Sequence, residues 1–253
     1  MVISVINYFL SLNPLFQALL AGIFTFSITA LGSAIVLFFK KINTSILNIM
    51  LSISAGIMIS ASFFSLLNPA IEMCNSWFYI STSFILGGII ILIFNKVLSK
   101  FYTNSSHMSL MLFISITLHN IPEGLVLGVA FASSTTNSLA SALSLTLGIA
   151  IQNFPEGAAI SLPLRRDKAS RLKAFIFGSL SAIVEPIFAV LGALLVLKVQ
   201  TTLPMIMSLT AGAMIFVTVL ELIPESLTDK RKDLMALFVM VGFVIMMILE
   251  LVL

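Results

Sequence analysis

The sequence predicts an all-α polytopic membrane protein, a single domain over residues 1–253 with eight transmembrane helices. Three observations predict this class. Hydrophobic residues make up 59% of the chain and charged residues only 9%, unlike the composition of a soluble domain. The apolar residues fall into eight runs, each long enough to cross a bilayer at about 1.5 Å of rise per residue. The basic residues stand between alternate runs, as in chains that cross a membrane repeatedly.

The eight runs set the predicted spans, which are joined by short connections. The first run has no basic segment before it and no small-residue cleavage site, so we expect it to be retained as a span. The single Cys74 excludes both an internal disulfide and a cluster of thiolate ligands. The predicted spans cover residues 15–39, 44–68, 77–95, 108–131, 138–163, 172–197, 203–224 and 234–253.

The distribution of basic residues predicts the orientation of the chain. Every basic residue except Lys198 lies in or beside the connections that follow spans one, three, five and seven. By the positive-inside rule these connections are cytoplasmic, so both termini are predicted to be extracellular. The net charge of +3 is thereby explained by topology, and we expect contact with a lipid bilayer and not with nucleic acid. Short connections favour a prokaryotic plasma membrane.

Two copies of one motif lie inside the fourth and fifth spans, at residues 119–124 (HNIPEG) and 152–157 (QNFPEG). Each copy places a glutamate, Glu123 or Glu156, near the middle of the membrane, where a charged residue costs about 2.5–3.5 kcal/mol. The carboxylates must therefore be paired, protonated or bound to a cation. Any one of these residues alone could be a structural hydrogen-bonding group. Their repetition at matching depth favours a metal site.

Helical spacing decides which side chains of the motifs can share a cation. In each motif the first residue precedes the glutamate by four positions, and the asparagine precedes it by three. Pairs with these spacings share one helix face, so each span presents nitrogen and oxygen donors on one side. The candidate ligands are His119, Asn120 and Glu123 on span four and Gln152, Asn153 and Glu156 on span five.

Prolines predict where the helices open. Pro122 and Pro155 each remove one backbone hydrogen bond inside a motif, so we expect both helices to be interrupted at the site. Glu185 stands directly before Pro186 in span six, a mid-membrane carboxylate beside a predicted kink, and is a further candidate. On the residues alone, Met58 in span two is a packing residue, because thioethers fill gaps in helix packing.

A second internal repeat relates spans two and seven. Residues 54–59 (SAGIMI) match residues 210–215 (TAGAMI), and the register continues to Leu66 and Leu222. An odd number of spans separates the copies, so they run in opposite directions across the membrane, as do spans four and five. We therefore predict a 3+2+3 inverted-repeat arrangement, with helices 1–3 related to 6–8 and helix 4 to helix 5. Inverted repeats around polar helices are typical of secondary transporters, although packing faces of small residues could match by chance.

The two motifs, with AIVEP at Glu185 and AGIM at Met58, resemble the ZIP family of divalent-metal transporters, in particular its bacterial branch of ZupT-like and GufA-like proteins. The resemblance covers essentially the whole chain and implies a metal site lined by helices 4 and 5. Some family members with two metals carry aspartate where this chain has Asn153, which leaves occupancy of a second site open. The primary site that the resemblance implies comprises His119, Glu123, Gln152 and Glu156, with Met58 nearby, and the second draws on Asn120, Glu123, Asn153, Glu156 and Glu185.

Donor chemistry and the resemblance together predict the function. Imidazole nitrogen with carboxylate and amide oxygens suits Zn²⁺, with Fe²⁺, Mn²⁺ and Cd²⁺ as further expected cargo, and the site has no cysteine for Cu⁺. We expect uptake into the cytoplasm by alternating access, the direction resting on the resemblance. The metal is then a transported substrate and not a catalytic cofactor, and the protein is not an enzyme. The sequence leaves open a homodimer.

Two other classes of protein remain as alternatives. An intramembrane metalloprotease also places His and Glu on helices, but the H-E-x-x-H signature of zinc proteases is absent from the sequence. A channel or receptor regulated by metal or protons would use the glutamates as relay groups. Slow saturable flux would favour a carrier over a channel.

Overall fold

The computed structural model describes residues 9, 11–38, 44–101, 108–133, 139–166, 169–198, 201 and 203–252, with the side chains of 98–101, 108–112, 114–116, 118–119 and 166 left undescribed. Within these residues the fold consists of long helices joined by short connections. They are α1 (Pro14–Phe38), α2 (Thr44–Met73), α3 (Trp77–Phe101), α4 (Met108–Ser133), α5 (Leu139–Arg166), α6 (Arg171–Lys198), α7 (Leu203–Ser226) and α8 (Lys232–Val252).

Each predicted span coincides with one of these helices, with boundaries that differ by a few residues. Six of the helices are long and apolar enough to cross a membrane, as judged from the described residues. The polar-motif helices α4 and α5 are not among those six, and for them the crossing stays a prediction. The chain is therefore an all-helical protein of the polytopic membrane class.

The backbone is irregular at places other than the motif prolines. The described backbone of α4 and α5 is helical through Pro122 and Pro155, so the expected interruption there is wrong. A proline removes a single hydrogen bond, and packing on neighbouring helices sustains the rest of the turn. In α6 the helix gives way to a turn at residues 181–183, just before the predicted kink at Glu185.

Two π-helical segments interrupt α2 and α7. They span Ser62–Leu67 and Thr218–Leu222, and each is followed by a short α-helical turn, Asn68–Met73 or Ile223–Ser226, with a proline near its start. A π-helical segment widens the helix and is frequent at functional sites. Each segment begins four residues after a fully buried methionine, Met58 in α2 and Met214 in α7.

The helices pack as two groups of four. One group contains α1, α4, α5 and α6, with its closest pairings between α4 and α6 and between α1 and α5. The other contains α2, α3, α7 and α8, with its closest pairings between α3 and α7 and between α2 and α8. The groups meet where α2 packs on α5 and α4 packs on α7. The polar motifs therefore lie inside the first group, close to its contact with the second.

Glycines allow the closest helix pairs to touch backbone to backbone. At Gly87 of α3, an added Cβ atom would overlap the carbonyl oxygen of Leu209 in α7, and at Gly212 of α7 it would overlap that of Phe84. Small residues permit this close approach in membrane helix pairs. The same reciprocal arrangement joins Gly32 with Gly157, Gly56 with Gly242, and Gly128 with Gly192.

The adjacent glycines of α3 provide a direct test of this packing. A Cβ at Gly88 would meet only the side chain of Phe216, at 3.3 Å from Cδ2, whereas one at Gly87 would meet backbone. We expect Gly87→Ala to destabilise the purified protein by about 1–3 kcal/mol, because a backbone cannot move aside as a side chain can. Thermal unfolding in detergent measures the loss. Gly88→Ala is the matched control, and equal stability of the two variants would contradict the proposed contact.

The connection between α7 and α8 is fixed by Asp229. Its Oδ1 accepts hydrogen bonds from the backbone N–H of Arg231 at 2.8 Å and from the Arg231 Nε at 3.3 Å. Its carboxylate also bonds to the Ser45 side chain at the start of α2, and this bond contributes most to lowering the pKa of Asp229 to about 2. Asn48 of α2 reaches the same connection, donating from Nδ2 to Thr228 Oγ1 at 3.1 Å.

The lowered pKa of Asp229 predicts an acid-dependent contribution to stability. Because the pKa in the folded protein, about 2, lies below the ordinary value of 3.8, the ionised carboxylate stabilises the fold above that ordinary value. The contribution is lost as the pH falls toward 2. We expect Asp229→Asn to melt at a lower temperature than the wild type at neutral pH, and this difference to shrink in acid. A difference that does not change with pH would contradict the role of the charge.

Candidate metal site

The polar residues of the two motifs form a buried cluster between α4 and α5. The side chains of Asn120, Glu123, Gln152 and Asn153 are completely inaccessible to solvent, and that of Glu156 is 1% exposed. Helical spacing puts each set on one face, and the packing turns both faces inward. The cluster therefore combines carboxylates and amides in an interior that water does not reach.

The motif glycines let two further helices approach the cluster. A Cβ at Gly157 would overlap the carbonyl oxygen of Thr29 in α1. A Cβ at Gly124 would come within 2.5 Å of the carbonyl oxygen of Glu185 in α6. Any side chain at these positions would push α1 and α6 away. The glycine that ends each motif therefore allows close helix packing, and Gly124 brings Glu185 to the polar cluster.

Glu123 and Gln152 join the two motif helices directly. The Gln152 Nε2 donates a hydrogen bond to Glu123 Oε1. Ser54 of α2 donates from Oγ to the backbone oxygen of Gln152 at 3.2 Å, which ties the second helix group to α5. The Gln152 Oε1 finds no hydrogen-bond partner among the described residues. This oxygen is a donor atom available to a cation.

Glu185 is held by residues of α1 and α5. Asn153 Nδ2 donates to both carboxylate oxygens of Glu185, each at 2.9 Å. The Thr25 side chain of α1 also hydrogen-bonds to the carboxylate, and the Thr25 backbone oxygen lies 3.4 Å from Asn153 Nδ2. Thr25 and Glu185 are completely buried. Together, Thr25, Asn153 and Glu185 form a group that we call the α1–α5–α6 clasp.

Met58 is completely buried near the contact between the two helix groups. Thr218 donates from Oγ1 to the Met58 sulfur at 3.6 Å and to the Met214 backbone oxygen at 2.8 Å. A thioether that accepts a hydrogen bond inside the helix packing performs the packing role predicted from the residues. Its use as a soft ligand or gate, which the resemblance implied, stays a prediction.

The electrostatics of the site are dominated by three carboxylates in a region of low dielectric constant. Glu123 interacts electrostatically with Glu156 and Glu185, and Glu156 interacts with Glu185. Like charges this close repel strongly unless a cation, a proton or hydrogen-bond donors lie between them. The cluster therefore favours a positive charge among its carboxylates.

Among the described side chains of the cluster, the atoms able to ligate a metal are oxygens. No three His, Cys, Asp or Glu side chains among the described residues lie in a group able to hold a metal. The imidazole of His119 lies outside the described side chains, so its predicted role as a ligand stays a prediction. Asn120 has neither a donor nor an acceptor for its amide in the part of the chain that the structure describes. Burying an amide without hydrogen-bond partners costs about 1–3 kcal/mol. A bound cation would give the amide oxygen a partner.

Sequence reasoning missed three residues that contact the predicted ones. Thr25 bonds to Glu185, Ser54 to Gln152, and Thr218 to Met58. For Thr25 a signal was present, because Thr25, Thr29 and Ser33 recur every four residues and form a polar stripe on an otherwise apolar span. All three are buried. Ser54 and Thr218 were hidden among the small residues of packing faces.

Helices crossing a membrane around a buried carboxylate and amide cluster define a class of integral membrane proteins that handle cations. The family model described as ZIP zinc transporter matches residues 102–250. The human protein named zinc transporter ZIP11 is 30% identical, over 94% of this chain and 97% of its own length. The chain belongs to the ZIP zinc transporter family.

Bacterial relatives cover the chain nearly as fully. Zinc transporter ZIPB of Bordetella bronchiseptica is 31% identical over 92% of this chain and 80% of its own length. Zinc transporter ZupT of Campylobacter jejuni is 31% identical over 87% of this chain and 91% of its own length. The resemblance drawn from the motifs is thereby confirmed, including its bacterial branch.

The substitution Asn120→Ala tests whether Asn120 is a metal ligand or a structural residue. We expect Asn120→Ala to leave the stability of the metal-free protein unchanged or raised, since no hydrogen bond to the described residues is lost, and to weaken zinc binding about tenfold or more. Thermal unfolding without metal and titration calorimetry with Zn²⁺ measure the two effects.

Asn48→Ala is the matched control for Asn120→Ala. Asn48 is also buried but donates to Thr228 Oγ1 at 3.1 Å. We expect this control to lose about 0.5–1.5 kcal/mol of stability and to bind zinc as the wild type does. A loss of stability with normal zinc binding in Asn120→Ala would show that Asn120 is structural.

Proposed function

We propose that this protein carries divalent transition-metal cations across the plasma membrane into the cytoplasm. The observation that carries the proposal is the buried cluster between α4 and α5, where Glu123 and Glu156 are enclosed with amide side chains in a chain of the ZIP zinc transporter family. The metal passes through as substrate. The relatives are named as transporters, which supports a role that is not enzymatic.

Zn²⁺ is the first expected cargo. The relatives from human, Bordetella bronchiseptica and Campylobacter jejuni are all named zinc transporters. A site of carboxylate and amide oxygens with one imidazole would also accept Fe²⁺, Mn²⁺ and Cd²⁺. Such a mixed set releases its ion more readily than the closed four-ligand shell of a structural zinc site. The donors therefore suit transport better than storage.

We place all eight helices across the bilayer with both termini outside. Six of them meet the length and hydropathy expected of spans in the described residues. For α4 and α5, support comes from their pairing with spans of the first helix group. The basic connections after α1, α3, α5 and α7 then face the cytoplasm. In this orientation the metal site lies near mid-membrane.

The packing supports the inverted repeat. Aligning residues 54–59 with 210–215 places Gly56 on Gly212 and the start of one π-helical segment, Ser62, on the start of the other, Thr218. It also relates the pairing of α2 with α8 to the pairing of α7 with α3, and both pairings are glycine contacts. Equivalent elements thus pack in equivalent ways.

Alternating access is supported by a difference between the two halves. Ser54 of α2 bonds to the Gln152 backbone of α5, whereas its repeat partner Thr210 bonds to its own helix, at Ile206. Where α7 faces α4, a cavity lies between Thr210 and Pro122. One side of the contact between the helix groups thus has a hydrogen bond across it, and the other has a cavity. A carrier built from inverted repeats exchanges these two arrangements during transport.

Uptake of radioactive Zn²⁺ into proteoliposomes tests the proposal. We expect saturable flux from the wild type, and flux at the protein-free background from His119→Ala and from the double variant Glu123→Ala/Glu156→Ala. The reason is that a cation cannot leave water for the membrane interior without these ligands. Flux should also weaken at acid pH, because protons compete for the same donors.

Glu72→Ala is the matched control for the uptake assay. Glu72 is an exposed glutamate at the end of α2, hydrogen-bonded to Asn68 at 3.0 Å. Its removal should leave uptake unchanged. Normal flux through the double variant would contradict the proposed metal site. A folded wild type that transports none of Zn²⁺, Fe²⁺ or Mn²⁺ would contradict the carrier function.

A further inference from the structure

An apolar groove runs along the side of the helix bundle between α3 and α7. It extends from Phe84 to Leu92 on α3 and from Gly212 to Leu220 on α7, and all of its lining residues are apolar or glycine. Its volume is about 470 Å³, within the range of pockets that hold small molecules. Ile89 and Leu220 are both exposed along it. The groove therefore opens sideways, away from the interior that holds the metal site.

The π-helical segment of α7 forms one wall of the groove. Val219 and Leu220 lie in this segment and are exposed, although Thr218 and Leu222 on either side are buried. A π-helical turn contains more residues than an α-helical turn, which changes the side chains that face outward. Across from this wall, Gly88 of α3 leaves space that a side chain would fill. A widened turn and a glycine thus form the groove together.

The depth of the groove corresponds to one leaflet of a bilayer. Trp77 is the first of three consecutive exposed aromatic residues at the start of α3, as is typical of a membrane interface. The exposed Lys96 lies about 29 Å further along the helix, which matches a hydrocarbon core of about 30 Å. The groove begins close to the middle of this distance, at Phe84, and ends one turn before Lys96, at Leu92.

The helices α3 and α7 run in the same direction and stay in register. Ser208 Oγ of α7 donates a hydrogen bond to the backbone oxygen of Ile80 of α3 at 2.7 Å. Two turns further along, Gly88 packs against the side chain of Phe216. Both pairs have the same separation along the chain. This separation places Lys96 level with the final turn of α7.

Charges of both signs lie where the groove ends. Lys96 follows Leu92 by four residues and so shares its helix face. Glu225 lies in the final turn of α7, and both Lys96 and Glu225 are exposed. Lys96 would attract a phosphate group, and Glu225 would attract an ammonium group. A headgroup that carries both groups therefore complements this end of the groove better than a headgroup with a net negative charge.

We propose that the groove between α3 and α7 binds one acyl chain of a membrane phospholipid with an ethanolamine headgroup, from the leaflet on the Lys96 side. The phosphate lies at Lys96 and the ammonium group at Glu225. The chain fills the space that Gly88 leaves and packs against the π-helical wall, where it gains contacts that an empty groove lacks. The inference depends on α3 and α7 crossing the membrane and is independent of the transported cargo.

Counting retained phospholipid tests the inference. The protein is reconstituted with equal amounts of phosphatidylethanolamine and phosphatidylglycerol, extracted in mild detergent and analysed by native mass spectrometry. We expect the wild type to retain one phospholipid per chain, enriched in phosphatidylethanolamine. Ile89→Trp should lower retention at least fivefold, because the indole occupies the groove. Ile93→Trp is the matched control, since Ile93 is exposed on α3 outside the groove, and it should retain lipid as the wild type does.

Charge substitutions test the headgroup assignment. Lys96→Gln should weaken retention about fivefold, the effect of one lysine at a membrane surface. Glu225→Gln should keep the lipid but lose the preference for phosphatidylethanolamine. Lys198 is exposed at the end of α6, and Lys198→Gln should change neither property. A retained lipid that responds to neither Lys96→Gln nor Glu225→Gln would overturn the assignment.

Leu220→Trp fills the groove from the α7 side and gives a result even where Ile89→Trp does not fold. A wild type that retains no phospholipid, or equal retention by folded Ile89→Trp and Ile93→Trp, would overturn the inference. A wild-type dimer that Ile89→Trp dissociates without changing lipid retention would assign the groove to a second copy of the chain and overturn it as well. The proposed transport function is tested separately, by uptake of Zn²⁺, and none of these outcomes bears on it.

Discussion

The structure depends on one constraint, which is that three carboxylates must be kept in an interior of low dielectric constant. An isolated ionised carboxylate cannot remain there, because the desolvation cost exceeds what ordinary packing returns. Two of the glutamates are stabilised by hydrogen-bond donors, Glu123 by Gln152 and Glu185 by the α1–α5–α6 clasp. Glu156 interacts electrostatically with both carboxylates, and this repulsion increases the need for a positive charge in the cluster.

Helix packing follows from the same constraint. Polar side chains can satisfy one another only if their helices lie close together, and the glycine contacts provide that closeness. Gly157 brings α1 to the cluster one turn beyond Thr25, and Gly124 brings the backbone of Glu185 against α4. The glycine in each N-x-P-E-G motif is thus tied to the carboxylate chemistry beside it. Fold and site are specified by the same short segments.

Much of the fold could be predicted from the sequence, because each span is a separate apolar run with basic residues on alternate sides. The helix bounds then followed within a few residues. The π-helical segments of α2 and α7 could not be predicted, since widening of a turn at Ser62 or Thr218 depends on packing across helices and has no local composition signal. At Pro122 and Pro155 the sequence predicted interrupted helices, because each proline removes one backbone hydrogen bond. The helices continue through both prolines, since packing on neighbouring helices sustains them.

The candidate site was predictable as a set of residues but not as a set of contacts. Motif repetition identified Asn120, Glu123, Gln152, Asn153 and Glu156, and the structure buries all of them together. Spacing along one helix cannot reveal that Asn153 turns toward Glu185 while Gln152 turns toward Glu123, because those choices are made by α6 and α4. The separate hydrogen-bond partners of Asn153 and Gln152 therefore emerge only from the tertiary structure.

The most direct test is the location of bound zinc in crystals of the full-length protein, by anomalous diffraction at the zinc edge. The cluster between α4 and α5 predicts an anomalous peak bounded by Glu123, Gln152 and Glu156. Absence of zinc from this cluster in zinc-loaded crystals, with a peak elsewhere in the membrane region, would contradict the assignment of the cargo site to the paired motifs.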